Sequence, residues 1–576
     1  MDAAHPGRAQ ARRRRAGGLA ERGGALPARV APVDANPFAE ATAASLLDAA
    51  AERVPDREAI VHGDERITFA AFRARAARLA RGLAALGLGR DDKVAIWLPN
   101  RPAWFLAQQA CARLGAVVVA LNPRYRAHEL TYILRDSDAR ALLLTDHLAA
   151  TDYLETLGEV LPGLARAVPG ELDVPEFPEL RHVIVDADDP FPGCHRLGDV
   201  LEQGAGALPD PPRPDDVFTI LYTSGTTSFP KGAMVSHRNC VPHAWNVGEA
   251  LGLTPDDRVL HALPAAGTWG GVNIPLAAWS HGACLVLMAA YDPLRALQLI
   301  ERERCTVWNA VDAMVKAMLE HPDLDRYDRS SLRTGGIGST GGGGHGLFEA
   351  FVERIGVRLG YEPYGMTEVN AMAMLHRLDE PLELRRLPGI NPAPGLEVRV
   401  VHPETGAPSA PGQEGELQFR GVLVTRGYYK KPEETAAAFT ADGWFRSGDL
   451  GVQDDAGHTI FKGRLRETLR ISHFMVAPGE IEAFLMSHPD VAQAFVVGIQ
   501  DPKLNEAPVA YVITAAGARL TEDELRAFCR GRIASYKIPV GFRFVKDVPR
   551  TPGPHGDKVQ RGRLREQARA DFGGAR

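Results

Sequence analysis

Leu221-Tyr222-Thr223-Ser224-Gly225-Thr226-Thr227-Ser228-Phe229-Pro230-Lys231-Gly232 is the stretch on which the reading of this chain turns. It follows Val217–Leu221, a short apolar run that reads as a strand. It then crowds small hydroxyl side chains around glycines and ends in Pro-Lys-Gly. Such a loop offers backbone N–H groups and hydroxyls to phosphate oxygens, and its lysine adds a point charge. It is not the G-x-x-x-x-G-K-[ST] loop, which feeds a helix N-terminus directly. A merely flexible polar loop does not account for so long a pattern.

Outward from that loop, helical and strand patterns alternate. Phe69–Leu88 carries apolar residues at helical spacing and is followed by Lys93–Leu98 as a buried strand. A further helix through Cys111 and strands at Val117–Leu121 and Ala141–Thr145 complete the pattern. Helices alternating with short apolar strands imply an α/β fold with parallel-rich sheets. Gly204–Asp216 is Pro-rich and polar, so it reads as a linker or exposed loop. The composition changes again after Phe461-Lys462-Gly463-Arg464, where a compact β/α unit begins, with helices expected near Glu480–His488 and Glu522–Ile533. The domain expectation is an Arg/Gly-rich disordered tail over 1–35, a large domain over 36–463 and a small C-terminal domain over 464–576.

The 576 residues hold 66 Lys and Arg against 72 Asp and Glu, a net charge of −6. That balance argues against a nucleic-acid or membrane-surface binder, both of which need a broad basic face. No apolar run approaches the ~20 residues of a membrane span. The tail has four consecutive arginines, Arg12 to Arg15, but no apolar segment after them, so it is no secretory signal. The six cysteines are scattered without C-x-x-C spacing, which suggests buried reduced thiols and a cytoplasmic protein.

Three more motifs carry chemistry. Tyr364-Gly365-Met366-Thr367-Glu368 follows a strand expected at Val357–Leu359. Trp444-Phe445-Arg446-Ser447-Gly448-Asp449-Leu450 precedes Gly463-Arg464, and a carboxylate such as Asp449 is suited to accept two ribose hydroxyl protons. Near the end stands Pro549-Arg550-Thr551-Pro552-Gly553-Pro554-His555-Gly556-Asp557-Lys558-Val559-Gln560-Arg561.

Together with the first loop, over roughly residues 40–570, these motifs resemble the adenylate-forming superfamily of acyl-CoA synthetases, luciferases and peptide-synthetase adenylation domains. The resemblance implies a large ATP- and substrate-binding domain with a small mobile lid. It implies that Thr223, Ser224, Gly225, Thr226, Thr227 and Lys231 grip the β- and γ-phosphates of ATP. Tyr364 and Gly365 would then lie beside the adenine, Thr367 at the α-phosphate, and Glu368 on Mg²⁺. Asp449 and Arg464 would hold the ribose. Lys558 would neutralise charge at the chemical step, on a domain that comes and goes. The reaction implied is ATP-dependent adenylation of a carboxylate with release of pyrophosphate, then transfer to CoA. The implied partner is a small-molecule substrate.

Several segments depart from the family pattern. Ser228 replaces a glycine of the phosphate loop, and Asp557 stands where glycine is usual. Pro264-Ala265-Ala266-Gly267-Thr268-Trp269-Gly270 replaces P-x-F-H-x-x-G, without its aromatic and histidine. Ser472-His473-Phe474-Met475 replaces a Gly-Gly-x-Asn on the thiol path, where side chains crowd a backbone approach. Arg333 to Thr340, followed by Gly341 to Gly344, replaces an S-G-G-A-P-L type segment; it reads as a pocket wall or as a surface turn. Trp269, Trp308, Asp312 and Gly336 are the candidate pocket residues. Trp269 and Trp308 are equally readable as core, and Asp312 as a solvated helix-capping residue. These departures leave a second reading open: a CoA-independent adenylating enzyme, as among relatives in bacterial secondary metabolism that use ATP and nitrite to diazotise an aromatic amine.

Overall fold

The computed structural model describes residues 36–148, 151–223, 230–338, 346–471, 474–501, 505–530, 532–533, 535–551 and 558–572. Two large sheets organise its first part. One runs, in spatial order, Lys231–Ser236, Val217–Thr223, Val117–Ala120, Lys93–Trp97, Ala139–Thr145, His182–Asp186 and His195–Arg196. All its pairings are parallel except that between Val217–Thr223 and Lys231–Ser236 at the edge. Its inner strand Val117–Ala120 is buried at every position, as in a sheet covered by helices on both faces.

The second sheet is built around Arg258–His261, Cys284–Leu287, Val307–Trp308, Thr334–Gly338 and Leu359–Tyr361, again in parallel, with the hairpin Glu58–His62 and Glu65–Thr68 at one end. A third sheet is antiparallel and contains Leu396–Val401, Glu414–Gly421, Phe445–Gln453 and Thr459–Arg464. Beyond it, Leu469–Ile471, Phe474–Val476, Val491–Asp501, Asn505–Thr514 and Gly541–Phe544 form a separate five-stranded sheet.

The helices follow the sequence closely. Phe69–Ala85 starts at Thr68, whose hydroxyl accepts from Ala71 N, and it ends just before Gly87, at a φ of 82°. The strand expected at Val357–Leu359 lies two residues later, at Leu359–Tyr361. The cause is local: Gly356 (φ 95°) ends a π-helical turn, Phe351–Ile355, and Val357 N still donates to Phe351 O. The helix expected over Glu522–Ile533 stops at Cys529. Pro478 at the first helical position starts the other C-terminal helix two residues early, as Pro478–Met486.

All six cysteines are free, and five are buried. Burial pushes the thiols up, to about 12 for Cys111 and Cys284 and about 11 for Cys194 and Cys529. None is an activated nucleophile. Among the described residues no helix is long and apolar enough to cross a membrane.

Candidate active site

The antiparallel edge of the first sheet fixes both ends of the loop between Thr223 and Lys231. Thr223 and Lys231 are direct partners in its register, so the loop between them leaves and re-enters the sheet at one point. The strand after the loop is stitched to a second turn: Tyr429 N donates to Gly232 O at 2.8 Å and Met234 N to Gly427 O at 3.0 Å. That stitching sets the Tyr428 ring under Lys231, with Nζ 5.2 Å from the ring centre.

Tyr428 also reaches the other motif. Its hydroxyl donates to Glu368 Oε1 at 3.0 Å. Glu368 is 6% exposed, and burial raises its carboxyl above the ordinary range. The turn carrying it is held tightly. Thr425 N donates to Glu368 O at 2.7 Å, and Asn370 Nδ2 to Leu423 O at 2.7 Å. Asn370 and Ala371 both adopt left-handed backbone (φ 59° and 62°), a strain that persists only where surrounding contacts impose it. Gly365 is obligatory here, because a Cβ would stand 1.1 Å from Ala371 O. Lys231, Tyr428 and Glu368 therefore form one cluster, with Thr367 at the head of the Glu368 turn.

Asp449 and Arg464 meet through the third sheet. Asp449 and Arg464 are register partners on adjacent strands, and Arg464 Nη1 lies 2.8 Å from Asp449 Oδ1. Tyr364 OH donates to Asp449 Oδ2 at 2.7 Å. The Tyr364 ring lies between Phe419 and Phe461, at centroid distances of 6.1 and 5.0 Å. Burial pushes the Asp449 carboxyl up to about 6, against the opposing pull of Arg464 and the Tyr364 hydroxyl. A carboxylate offers about four lone-pair sites, so the two contacts leave acceptor capacity for hydroxyls.

At the other end, Trp269 is the second residue of a π-helical segment, Thr268–Asn273, and packs against the strand Thr334–Gly338. A Cβ on Gly338 would stand 2.8 Å from the Trp269 ring, so only glycine fits. Gly336 N donates to Asn309 Oδ1 at 2.9 Å, and the Tyr361 hydroxyl donates to the same oxygen at 2.9 Å. Trp269 Nε1, Thr268 Oγ1 and Asn309 Nδ2 are buried with no hydrogen-bond partner among the described residues.

For two candidate pocket residues the structure chooses between readings. Trp308 is core: it is fully buried, between Tyr291 and Phe351. Asp312 is not a solvated cap. It is 6% exposed, in the first turn of the helix Asp312–Leu319, with Val311 at the N-cap position.

Ser224, Gly225, Thr226, Thr227 and Ser228 lie outside the described residues, as do Ser339 to Gly344, Ser472, His473 and Pro552 to Asp557. The Lys558 backbone is described, paired with Thr551. Tyr428, which joins Lys231 to Glu368, is the side chain of this cluster that the sequence reading missed: Gly427-Tyr428-Tyr429 looks like an ordinary turn, and nothing local marks its hydroxyl.

Residues 47–429 match the model of the AMP-binding enzymes, and 480–553 that of the AMP-binding enzyme C-terminal domain. The chain belongs to the AMP-binding enzyme family. Among its relatives, a protein of Bacillus subtilis (strain 168) named as an acyl-CoA synthetase, YngI, is 36% identical over 540 residues. That match covers 91% of this chain and 97% of YngI. The human mitochondrial medium-chain acyl-CoA ligase ACSF2 is 32% identical over 547 residues, covering 91% of this chain and 87% of that one. The crystal structure of ATP-bound MatB from Rhodopseudomonas palustris superposes with a TM-score of 0.78 at 28% identity, over 92% of this chain and 99% of that one. This AMP-binding enzyme is accordingly an ATP-dependent, AMP-forming ligase, with the adenylation and acyl transfer to CoA that characterise acyl-CoA synthetases.

Proposed function

We propose that the acid is a medium-chain aliphatic carboxylate and that the clusters above divide the work of its adenylation. The observation that carries the division of roles is the pairing of Glu368 with Tyr428 beneath Lys231, next to the Tyr364–Asp449–Arg464 group. The acid class rests on the resemblance to the medium-chain ligase and on the apolar side chains near Gly338, among them Trp269, Ile337 and Met314.

Asp449 and Arg464 hold the ribose and Tyr364 flanks the base. Thr223 and Lys231, with Ser224 to Thr227, hold the β- and γ-phosphates. Glu368 is suited to Mg²⁺, since that ion is usually bound through one or two carboxylates plus substrate phosphates. No group of three or more His, Cys, Asp or Glu side chains converges as a dedicated cage among the described residues. When bound, Mg²⁺ would offset charge on the phosphoryl oxygens.

One carboxylate oxygen attacks the α-phosphorus and pyrophosphate leaves. The CoA thiol, its proton lost, then attacks the acyl carbon and AMP departs with the bridging oxygen. Residues 464–576 act as the lid, pivoting near Arg466, and Lys558 supplies positive charge during adenylation. The free thiols suit a cytoplasmic location.

The test is pyrophosphate release with Mg·ATP over butanoate, octanoate, palmitate, benzoate and anthranilate. Each acid is run with and without CoA, and with and without nitrite. Octanoate is expected to give the highest kcat/KM and octanoyl-CoA as product. Preference for anthranilate, or turnover that needs nitrite and ignores CoA, would sink the reading.

A further inference from the structure

Lys558 begins a short strand, and three residues later the chain enters the helix Arg561–Phe572. At that junction Arg561 makes a contact set found nowhere in the motif's local sequence. Its Nη1 and Nη2 donate to Glu482 Oε1 and Oε2 at 2.6 and 2.9 Å, and Nη1 also donates to Val496 O at 3.0 Å. Its Nε lies 3.1 Å from Glu467 Oε2. Glu482 is 5% exposed at the side chain and accepts in addition from Val496 N, so the clamp is rigid on that side.

Glu467 differs from Glu482 in where it leads. It closes the 3₁₀ turn Leu465–Glu467, which follows Arg464 directly, and Arg464 is paired with Asp449. One short run of chain therefore touches the ribose carboxylate at its start and the Lys558 segment at its end. Lys558 itself is bracketed: it pairs with Thr551, and Gln560 N donates to Pro549 O at 2.8 Å.

We propose that Arg561, through Glu467, is a positioning residue that sets where Lys558 stands relative to the nucleotide. The inference rests on the reading of Lys558 given above. If the pivot lies at Arg466, Glu467 is the first residue of the moving body. The Arg561–Glu467 contact then ties the lysine's strand to the pivot itself. Without it the lysine arrives displaced, and misplacements of about 1 Å cost about 10²-fold in rate. Arg561 acts on the adenylation step only, because that is the step Lys558 serves.

Glu467→Gln is the variant of choice, since it leaves the buried Arg561–Glu482 pair intact where Arg561→Ala would strand Glu482 unpaired. Two half-reactions are read on the full chain with octanoate: ATP–pyrophosphate exchange, and octanoyl-CoA formation from supplied octanoyl-adenylate. Glu467→Gln is expected to lower exchange kcat about tenfold, the scale seen when outer-shell supports are removed. Both KM values and the thioester half-reaction should stay within about twofold. Glu467→Asp should recover part of the loss. In a Lys558→Ala background the same Gln substitution should change exchange by less than about twofold, as coupled residues do. Full exchange in Lys558→Ala alone would overturn the reading of Lys558. A slow Lys558→Ala beside a wild-type Glu467→Gln overturns only the positioning role. So does an undiminished tenfold loss in the Lys558→Ala background, or an equal loss in both half-reactions.

Discussion

The nucleotide end and the acyl end of this site differ in what holds their polar side chains: charged partners at the first, glycine and apolar walls at the second. At the nucleotide end ionisable side chains engage one another: Tyr364 donates to Asp449 Oδ2, Arg464 is ion-paired with Asp449 Oδ1, which makes no hydrogen bond among the described residues, and Tyr428 donates to Glu368. At the acyl end Trp269 Nε1, Thr268 Oγ1 and Asn309 Nδ2 are buried without hydrogen-bond partners among the described residues, and the wall beside them is glycine. An unpartnered buried polar atom costs about 1–3 kcal/mol. The first end is preorganised for a ligand that never changes, which is how electrostatic catalysis avoids reorganisation during the reaction. The second keeps unspent hydrogen-bonding capacity and bare backbone, the features from which specificity is made.

The contrast breaks most easily at Glu368. Glu368→Gln should lower adenylation by about 10²–10³-fold, the range for removing one preorganised electrostatic group, with no change in which acid is preferred. Steady-state kinetics on octanoate and butanoate checks both halves. Loss of chain-length preference would mean that the two ends are not separable.

Asp449 gives the next largest effect, through pH. Its carboxyl takes up a proton near pH 6 in the folded chain, above the ~3.9 of an ordinary aspartate. The folded state therefore binds that proton first on acidification, and this group's contribution to stability rises between about pH 6 and pH 4. ATP capture runs the other way, because the carboxylate is the form that accepts from two hydroxyls. kcat/KM for ATP should fall as pH drops through about 6, roughly tenfold per unit below it, and Asp449→Asn should be slow but flat across that range. A wild-type profile flat from pH 5 to 7 would contradict the role.

Gly338→Ala works on the acyl end alone. Its Cβ enters the space of the Trp269 ring. The octanoate-to-butanoate ratio of kcat/KM should fall about tenfold, the value of a methylene-sized change, while KM for ATP holds. The smallest effect is expected at Trp308→Phe, with all kinetic constants within about twofold, since that ring packs between Tyr291 and Phe351 in the core. A large shift in acid preference there would return Trp308 to the pocket.

The same contrast explains what could be read from the sequence. Thr223 and Lys231 announce themselves because a phosphate loop needs small hydroxyls, glycine and a cation in close succession, and the antiparallel register then sets them opposite each other. Asp449 and Arg464 are legible for a similar reason, and sheet register brings them together although 14 residues lie between them. Tyr428 was not legible: its partner Glu368 is distant in sequence, and only the stitching of Gly232 to Tyr429 brings the two into reach. Whether Trp308 is core, and whether Asp312 is a solvated cap, was not legible, because burial depends on which neighbours pack over them. A single chain carries no periodic signal for that. Leu359–Tyr361 slipped by two residues because a π-helical turn inserted before Gly356 displaces the strand start.

The most direct test of AMP formation follows the oxygen. With octanoate labelled with ¹⁸O in both carboxylate positions, ATP and CoA, attack on the α-phosphorus and departure of AMP leave one ¹⁸O in the phosphate of AMP. Mass spectrometry of the purified enzyme's products should find singly labelled AMP in amounts equal to octanoyl-CoA. Unlabelled AMP, or ADP with the label in inorganic phosphate, would contradict the account.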